Sequence, residues 1–184
     1  RARDTAEIHV AGSREHLNAI MPAARIGPAI HLLETGVEHP QHQFVREIVI
    51  VAIFVRPVDQ ALAQNLLFEF GAMLSCPPGA KKTFEGPTAN DVSSLEHDID
   101  ATETHLEPLR SFILPGGTEL AARIHFARSV CRRAERAVLE LHAREPLSAE
   151  PLAYLNRLSD WLFVRARLAN KCAGIADVPW SSRS

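Results

Sequence analysis

Apolar residues recur at helical spacing along much of the chain, most regularly in residues 118–144. In this stretch the steps between apolar positions alternate between four and three residues, as in a heptad repeat. The apolar positions are Leu120, Ile124, Ala127, Cys131, Ala134, Val138 and Leu141. Thr118 begins the stretch and is a residue type that caps helix N-termini. The pattern predicts a helix from Thr118 to about Arg144 with one continuous buried face.

Three further stretches predict helices by the same spacing. One helix is expected over 58–74, before a turn rich in proline, and a second is expected over 88–108. The last is expected over 150–171, ending at Gly174. The apolar positions that define them are Leu62, Leu66, Phe70 and Leu74 in the first, Val92, Leu95, Ile99 and Leu106 in the second, and Leu152, Leu155, Leu158 and Leu162 in the third.

The pattern is less regular in the N-terminal third of the chain. Residues 13–25 predict a short helix that Pro22 interrupts. The β-branched run 45–55 fits either a strand or a buried helix. Together the elements predict an all-α bundle of four or five helices in a single domain, 1–184, with 175–184 as a C-terminal tail.

Composition supports this class and excludes others. The chain has 184 residues, of which 46% are hydrophobic and only 6% aromatic, so its core is mostly aliphatic and suits packed helices. A formal charge of -2 gives no bulk basicity for nucleic-acid binding. The longest apolar run, 47–55, is too short to cross a membrane. Three cysteines without C-x-x-C spacing suggest no disulfide framework, so a reducing cytoplasm is the expected location.

Charged residues form a stripe beside the apolar face of the helix predicted over 118–144. The stripe lies one helical step, about 100°, from the apolar seam. It consists of His125, Arg128, Arg132, Glu135 and Arg136. Guanidinium groups near a core need anionic partners, and their planar fork suits phosphate or carboxylate. The stripe indicates a polyanion site, and the alternative is a solvated or intersubunit helix of salt bridges.

A second polar stripe lies beside the leucine face of the last helix. Its members are Asn156, Ser159, Asp160 and Phe163. Asparagine and aspartate are poor residues for a helix interior, so the stripe indicates either a ligand contact or an ordinary hydrogen bond within the bundle.

Two loop features are weaker signals. The segment 112-FILPGG-117 brings large apolar residues into a glycine turn before a helix, and a plain loop packed into the core is the alternative to a binding role. His39 and His42 form an H-x-x-H pair without cysteine or carboxylate support, which is weak support for a metal site.

Three motifs in this order closely resemble the PduO-type ATP:cob(I)alamin adenosyltransferases: 112-FILPGG-117, 128-RSVCRRAER-136 and 154-YLNRLSDWLF-163. The resemblance extends over about 60–180, is weak over 4–20 and is poor over 19–60. Members of that family are up-and-down five-helix bundles of ferritin-like appearance that assemble as homotrimers. They use ATP with Mg²⁺ to place an adenosyl group on the cobalt of cobalamin, at sites between neighbouring subunits.

The resemblance implies roles for four of the five residues of the charged stripe, which we call the arginine stripe; His125 is given none. Cob(I)alamin would attack the 5′ carbon of ATP, and the whole triphosphate would leave. Arg128 and Arg132 would be catalytic, because preorganised cations stabilise charge on a leaving group. ATP would be held by Arg132, Glu135, Arg136 and Asn156, with Glu135 also near a Mg²⁺ ion bound to the phosphates.

The resemblance also implies contacts away from the phosphates. Phe112 would pack under the corrin ring and displace the lower axial ligand, which makes cobalt(II) easier to reduce. Arg128 would pair across a subunit interface with Glu15, in a segment that reads Glu-His-Leu-Asn where the family has Asp-Glu-Leu-Asn. Ser159 and Asp160 would be supporting polar residues.

Other functions stay open at this level. The family's glycine-rich Thr-Gly-Asp-x-Gly-x-Thr phosphate loop does not occur in this sequence, so we expect the chain as written to bind ATP weakly. The alternative function is a non-catalytic trimeric module that binds or delivers corrinoids. A helical nucleotide pyrophosphohydrolase would need a Glu-x-x-Glu and Glu-x-x-Asp metal set, and the arginine stripe without that set argues against this function. Expected partners are a cobalt reductase and an adenosylcobalamin-dependent enzyme, with no nucleic acid and no membrane.

Overall fold

The computed structural model describes residues 61–76 and 84–182. Within these ranges the chain forms four helices and no strand, so the all-α prediction is confirmed there. The helices are α1, Ala61–Ser75; α2, Ala89–Glu103; α3, Glu119–His142; and α4, Glu150–Cys172. The short helix predicted over 13–25 and the ambiguous run 45–55 lie outside the described residues, as does any fifth helix.

Side-chain caps explain where α2 and α3 begin. The hydroxyl of Thr118 accepts a 3.0 Å hydrogen bond from the backbone N–H of Ala121, which confirms the predicted cap of α3. At α2, Thr88 and Asp91 form a reciprocal capping box. The prediction for the end of α2 is wrong: the helix stops at Glu103, and Leu106 lies in the turn beyond it.

The core lies where α4 packs between α2 and α3, and α1 adds Leu67, Phe70 and Leu74 to it. On α4, the predicted Leu155, Leu158 and Leu162 are completely buried, whereas Leu152 is only partly buried. Six of the seven predicted seam positions of α3 are buried, namely Ile124, Ala127, Cys131, Ala134, Val138 and Leu141. These buried faces place the two polar stripes beside the α3–α4 contact.

The first seam position, Leu120, is an exception to the prediction. It is 42% exposed, and the neighbouring Ala121 is buried in its place. A straight helix has 3.6 residues per turn and drifts away from a repeat of 3.5, so the end of a long seam rotates off its partner.

A polar contact ties α2 to α4 on the other side of the bundle. The indole N–H of Trp161 donates to the carboxylate of Asp98. Arg165 also pairs with Asp98 at 3.2 Å, and its guanidinium lies 5.1 Å from the centre of the Trp161 ring. None of the helices in the described part of the chain is both long and apolar enough to cross a membrane.

Candidate functional site

The packing of α3 on α4 determines how much of the arginine stripe reaches solvent. His125 is buried, whereas Arg128, Arg132 and Glu135 are partly buried at the edge of the α3–α4 contact. Arg136 is exposed, so the prediction that it borders the packed face is wrong. The stripe therefore presents two partly buried guanidinium groups and one exposed one along two turns of α3.

The two polar stripes meet at Glu135 and Asn156. The side-chain amide of Asn156 on α4 donates a 2.8 Å hydrogen bond to Oε1 of Glu135 on α3. The other carboxylate oxygen, Oε2, lies 3.8 Å from Nη1 of Arg132, in an ion pair. The Arg132 side chain remains 44% exposed, so its guanidinium lies near the Glu135 carboxylate but is still open to a ligand. The bundle thus brings together three of the predicted ATP-binding residues.

Two other members of the polar stripe on α4, Ser159 and Asp160, make contacts close to Asn156. Its amide oxygen accepts a 2.7 Å hydrogen bond from Arg157, which also pairs with Asp160 at 3.2 Å. The buried hydroxyl of Ser159 donates to the backbone carbonyl of Asn156 in its own helix, at 2.9 Å. Because both polar ends of the Asn156 amide are bonded, its orientation is determined.

Arg128 lies over the ring of Phe163, and its Nε lacks a hydrogen-bond partner in the described part of the chain. Its guanidinium carbon is 5.2 Å from the centre of the Phe163 ring, and the His125 ring centre is 6.1 Å from that of Phe163. Nε of Arg128 and Nε2 of His125 are buried and have no hydrogen-bond partner among the described residues. Buried donors without partners are rare in native proteins. This end of the stripe therefore has unused capacity for a polar or anionic group.

Burial and like charge change two pKa values at this end of the stripe. Burial lowers the pKa of His125, the positive charge of Arg128 lowers it further, and Asp177 opposes both effects. Burial also lowers the pKa of Arg128, with a further contribution from Arg132. Both shifts arise mainly from burial of the charged form, with a smaller contribution from neighbouring positive charge, and a bound anion would favour the charged forms.

Cys131 lies in the same helix, but it is a packing residue. It is completely buried, and its thiol donates a 3.4 Å hydrogen bond to the backbone carbonyl of Leu155. Burial raises the pKa of this thiol, so it stays protonated and is a poor nucleophile.

The Pro-Gly-Gly turn before α3 presents Phe112 to solvent. The Phe112 side chain is 81% exposed, so a plain loop packed into the core does not describe this residue. Gly117 has φ +103°, a conformation that favours glycine. A Cβ atom at Gly117 would also lie 2.2 Å from Oδ1 of Asn170, which leaves no room for a side chain.

The C-terminal tail returns along this turn. The backbone N–H of Trp180 donates to the carbonyl of Phe112 at 2.7 Å, and that of Leu114 donates to Val178 at 2.8 Å. A cleft of about 550 Å³ lies between 106–113 and the tail. Large exposed apolar side chains gather here: Leu109, Phe112, Leu114, Ile175, Val178 and Trp180. Such a cluster is typical of a surface that binds an apolar ligand or partner.

Sequence reasoning missed Arg167 and Asn170 on α4, and Asp177 in the tail, which hold this region together. Arg167 is buried, donates to the carboxylate of Asp177 at 2.7 Å and donates to the carbonyl of Glu107 at 2.7 Å. Asn170, also buried, bonds to residues 116–118. Two polar residues three apart on the apolar face of a helix are a visible signal. Their partners lie 10 to 60 residues away in the sequence, so spacing alone could not identify them.

Some predicted site residues cannot be placed. Glu15, His39 and His42 lie outside the described residues, so the proposed pair between Arg128 and Glu15 stays a prediction. Within 61–76 and 84–182, no group of three or more His, Cys, Asp or Glu side chains could hold a metal ion. A divalent cation at this site would need ligands from elsewhere, such as the phosphates of a bound nucleotide.

The described part of the chain is a helical bundle with a stripe of arginines along α3 and an exposed phenylalanine, Phe112, before the turn that leads into α3. The sequence model of the family described as cobalamin adenosyltransferase matches residues 2–169, which is most of the chain. The chain therefore belongs to the cobalamin adenosyltransferase family. The matched range includes 19–60, where the motif resemblance is poor.

Curated relatives agree with this family. A cobalamin adenosyltransferase from Cupriavidus metallidurans is 45% identical over 117 residues, which cover 64% of this chain and 61% of that protein. A corrinoid adenosyltransferase from Bacillus subtilis is 46% identical over 93 residues, covering 50% of this chain and 48% of that protein. The matched part thus spans less than two thirds of either relative.

Solved structures similar to this chain are also adenosyltransferases. A phenylalanine-to-alanine variant of the PduO-type ATP:corrinoid adenosyltransferase from Lactobacillus reuteri, complexed with cobalamin and ATP, superposes with a TM-score of 0.71 and 30% identity. The match covers 79% of this chain and 88% of that chain. An arginine-to-lysine variant of the enzyme from the same organism, complexed with ATP, has a TM-score of 0.69 and 30% identity, with coverage of 78% and 89%.

Proposed function

We propose that this protein is a corrinoid adenosyltransferase, which moves the 5′-deoxyadenosyl group of ATP onto cob(I)alamin and releases triphosphate. Membership of the family supports the reaction class, and similar structures hold cobalamin and ATP. The observation in this chain that carries the proposal is the contact between Glu135 and Asn156, with Arg132 paired to the same carboxylate.

In this reaction, cobalt(I) supplies both electrons of the new bond to carbon. The bond between the 5′ carbon and its oxygen breaks, and the electron pair leaves with the triphosphate. Arg132 and Arg128 would bind the oxygens on which this charge accumulates, and exposed Arg136 would add a third cation. Cations held in place before the reaction cost no reorganisation when the charge develops, so they lower the barrier.

Mg²⁺ would fit this site through the nucleotide. Both carboxylate oxygens of Glu135 already face protein partners, Asn156 and Arg132. The carboxylate can therefore contribute little more than one ligand, and phosphate oxygens and water would supply the rest, as is usual for Mg²⁺. When bound, the ion would neutralise phosphate charge.

The corrinoid would lie against the exposed apolar surface at the turn and the tail. Phe112, at 81% exposure, is the most exposed apolar side chain there, and Leu114, Val178 and Trp180 extend the surface. A phenyl ring under the corrin would exclude the lower axial ligand by its size. Cobalt(II) without that ligand loses an electron donor and is easier to reduce.

We further propose a homotrimer in the cytoplasm, with sites between subunits. Arg128 supports this assembly, because its Nε is buried without a partner among the described residues, and an acid such as Glu15 of a neighbouring subunit would satisfy it. A separate cobalt reductase would supply cob(I)alamin, and an adenosylcobalamin-dependent enzyme would take the product.

Absorbance spectroscopy tests the function directly. The protein is mixed with cob(II)alamin with and without ATP and Mg²⁺, and then with a strong chemical reductant that replaces the reductase. We expect an ATP-dependent four-coordinate cob(II)alamin spectrum, followed by the adenosylcobalamin spectrum and release of triphosphate. Corrinoid binding without adenosylcobalamin under these conditions would favour the delivery module, and an unchanged spectrum throughout would contradict both functions.

A further inference from the structure

The connection between α2 and α3, residues 104–118, is held at both ends by buried polar side chains of α4. Near its start, Nη2 of Arg167 donates to the carbonyl of Glu107 at 2.7 Å. Near its end, the side chain of Asn170 bonds to Gly116 and Thr118. Arg167 and Asn170 are three residues apart, so they project from the same face of α4.

Asn170 makes the more specific of these two attachments. Its Oδ1 accepts hydrogen bonds from the backbone N–H of Thr118 at 2.9 Å and from the Thr118 hydroxyl at 3.3 Å. Its Nδ2 donates to the carbonyl of Gly116 at 3.0 Å. Asn170 is 3% exposed, so its amide forms hydrogen bonds with these protein groups and not with water. One amide therefore determines the backbone path through the Pro-Gly-Gly turn.

The backbone of Asn170 attaches the tail as well. Its carbonyl accepts from the N–H of Ile175 at 2.9 Å, where the tail leaves α4. Further along, the N–H of Trp180 donates to the carbonyl of Phe112. Asn170 is thus connected to Phe112 in two ways. Its side chain bonds to the turn that follows Phe112, and its backbone bonds to the tail that contacts Phe112.

We propose that Asn170 is a positioning residue for Phe112, acting through the turn and the tail rather than by touching a substrate. This inference rests on the proposed function, because the task of Phe112 is defined by the corrinoid. An exposed side chain has no packing of its own to hold it, so its placement depends on the backbone that carries it. The amide of Asn170 is the buried group that determines this backbone.

The test compares Asn170→Ala with the parent in two measurements. The first is hydrogen exchange of backbone amides in 107–118, which needs no ligand. The second is the yield of four-coordinate cob(II)alamin and the rate of adenosylcobalamin formation, beside the affinity for ATP. Arg165→Ala is the matched control, since Arg165 is also a polar residue on α4 but contacts Asp98 and Trp161 instead.

We expect faster exchange at 112–118 in Asn170→Ala and a roughly 10- to 100-fold slower adenosylation, the usual range for a misplacement of about 1 Å. ATP affinity should stay within about threefold. The control should change neither the exchange nor the ratio of adenosylation to ATP affinity. Exchange equal to that of the control, or a parallel loss of ATP affinity, would overturn the inference.

Two further variants keep the test decisive if Asn170→Ala folds poorly. Asn170→Asp retains the acceptor for Thr118 but loses the donor to Gly116, so it should give an intermediate result. Gly117→Ala pushes a Cβ atom into Asn170 and also strains the backbone at φ +103°, so it should produce at least the same defect without changing Asn170. Because both changes disrupt one contact, the double variant Gly117→Ala, Asn170→Ala should be less impaired than the sum of the single changes. Additive defects would count against the contact.

Failure of the proposed function has a different signature. In that case the parent itself shows no ATP-dependent change in the cob(II)alamin spectrum. Hydrogen exchange then decides the inference alone: unchanged exchange at 112–118 in Asn170→Ala rejects it, and faster exchange retains the positioning of Phe112 by Asn170.

Discussion

The side-chain amide of Asn156 donates a 2.8 Å hydrogen bond to the carboxylate of Glu135, and this contact joins α4 to α3 in the middle of the site. The same carboxylate pairs with Arg132 at 3.8 Å, so one carboxylate contacts residues of both helices. This arrangement places a fixed anion beside the guanidinium before its ligand arrives. It also predicts which substitutions act together.

Replacement of Arg132 by alanine should reduce adenosylation roughly 100- to 1,000-fold while leaving helical content and assembly unchanged, as expected for loss of one preorganised donor. Arg132 is not a core residue, so folding does not depend on it. The rate is measured by adenosylcobalamin absorbance, and helicity by circular dichroism. Arg123→Ala is the control, because Arg123 is an exposed arginine of the same helix paired with Glu119. Turnover within about threefold of the parent would remove Arg132 from the site.

Glu135 and Asn156 should behave as a coupled pair in ATP binding. Glu135→Ala and Asn156→Ala should each weaken ATP affinity by roughly tenfold, about 1.4 kcal/mol. The double variant should lose less than the sum, because each single change already breaks the contact. Calorimetric ATP titrations of the four proteins measure the coupling, with Glu119→Ala at the start of α3 as a control. Additive losses would mean that the contact is incidental to ATP binding.

Replacement of Phe112 by alanine should separate the two substrates. ATP affinity should be unchanged, whereas the four-coordinate cob(II)alamin spectrum should be weak or absent, because no ring excludes the lower ligand. Since the side chain is 81% exposed, the free energy of unfolding should change by less than about 0.5 kcal/mol. Phe126→Ala, which removes another exposed aromatic ring, is the control. An unchanged spectrum in ATP-loaded Phe112→Ala protein would reject the assignment.

The free energy of unfolding should decrease as the pH falls below 6.5, and His125 should account for part of this decrease. Burial and Arg128 lower its pKa in the folded protein from the ordinary value of 6.5. As the pH falls below 6.5, the unfolded chain therefore takes up a proton before the folded chain does, and stability is lost by about 1.4 kcal/mol per pH unit until the folded pKa is reached. Above 6.5, this residue should contribute no pH dependence.

Denaturant titrations of parent and His125→Gln protein at several pH values would measure this effect. The variant should lack this part of the slope below pH 6.5. His97→Gln, which changes an exposed histidine of α2, should retain it. Equal slopes in the parent and His125→Gln would show that His125 titrates normally in the folded protein.

Much of the bundle could be predicted from the sequence. The helices now seen as α2, α3 and α4 begin within a residue or so of their predicted starts, because capping residues and apolar periodicity are local signals. The C-terminal ends of helices are harder to predict from sequence. The helix α2 stops at Glu103, five residues before the predicted end at Pro108. The residues of the arginine stripe were identified for the same reason, since they share one helix.

The amino-acid sequence by itself determined the helices, their buried faces, the arginine stripe and the family resemblance, all of which depend on residues near one another in the chain or on ordered motifs. Only the tertiary structure decided which polar groups meet. Glu135 contacts Asn156 across 21 residues, and Asn170 contacts Thr118 across 52. Periodicity indicates which face a residue occupies, but the helix packing determines what it contacts there. The residues that hold Phe112 in place therefore became visible only in the folded protein.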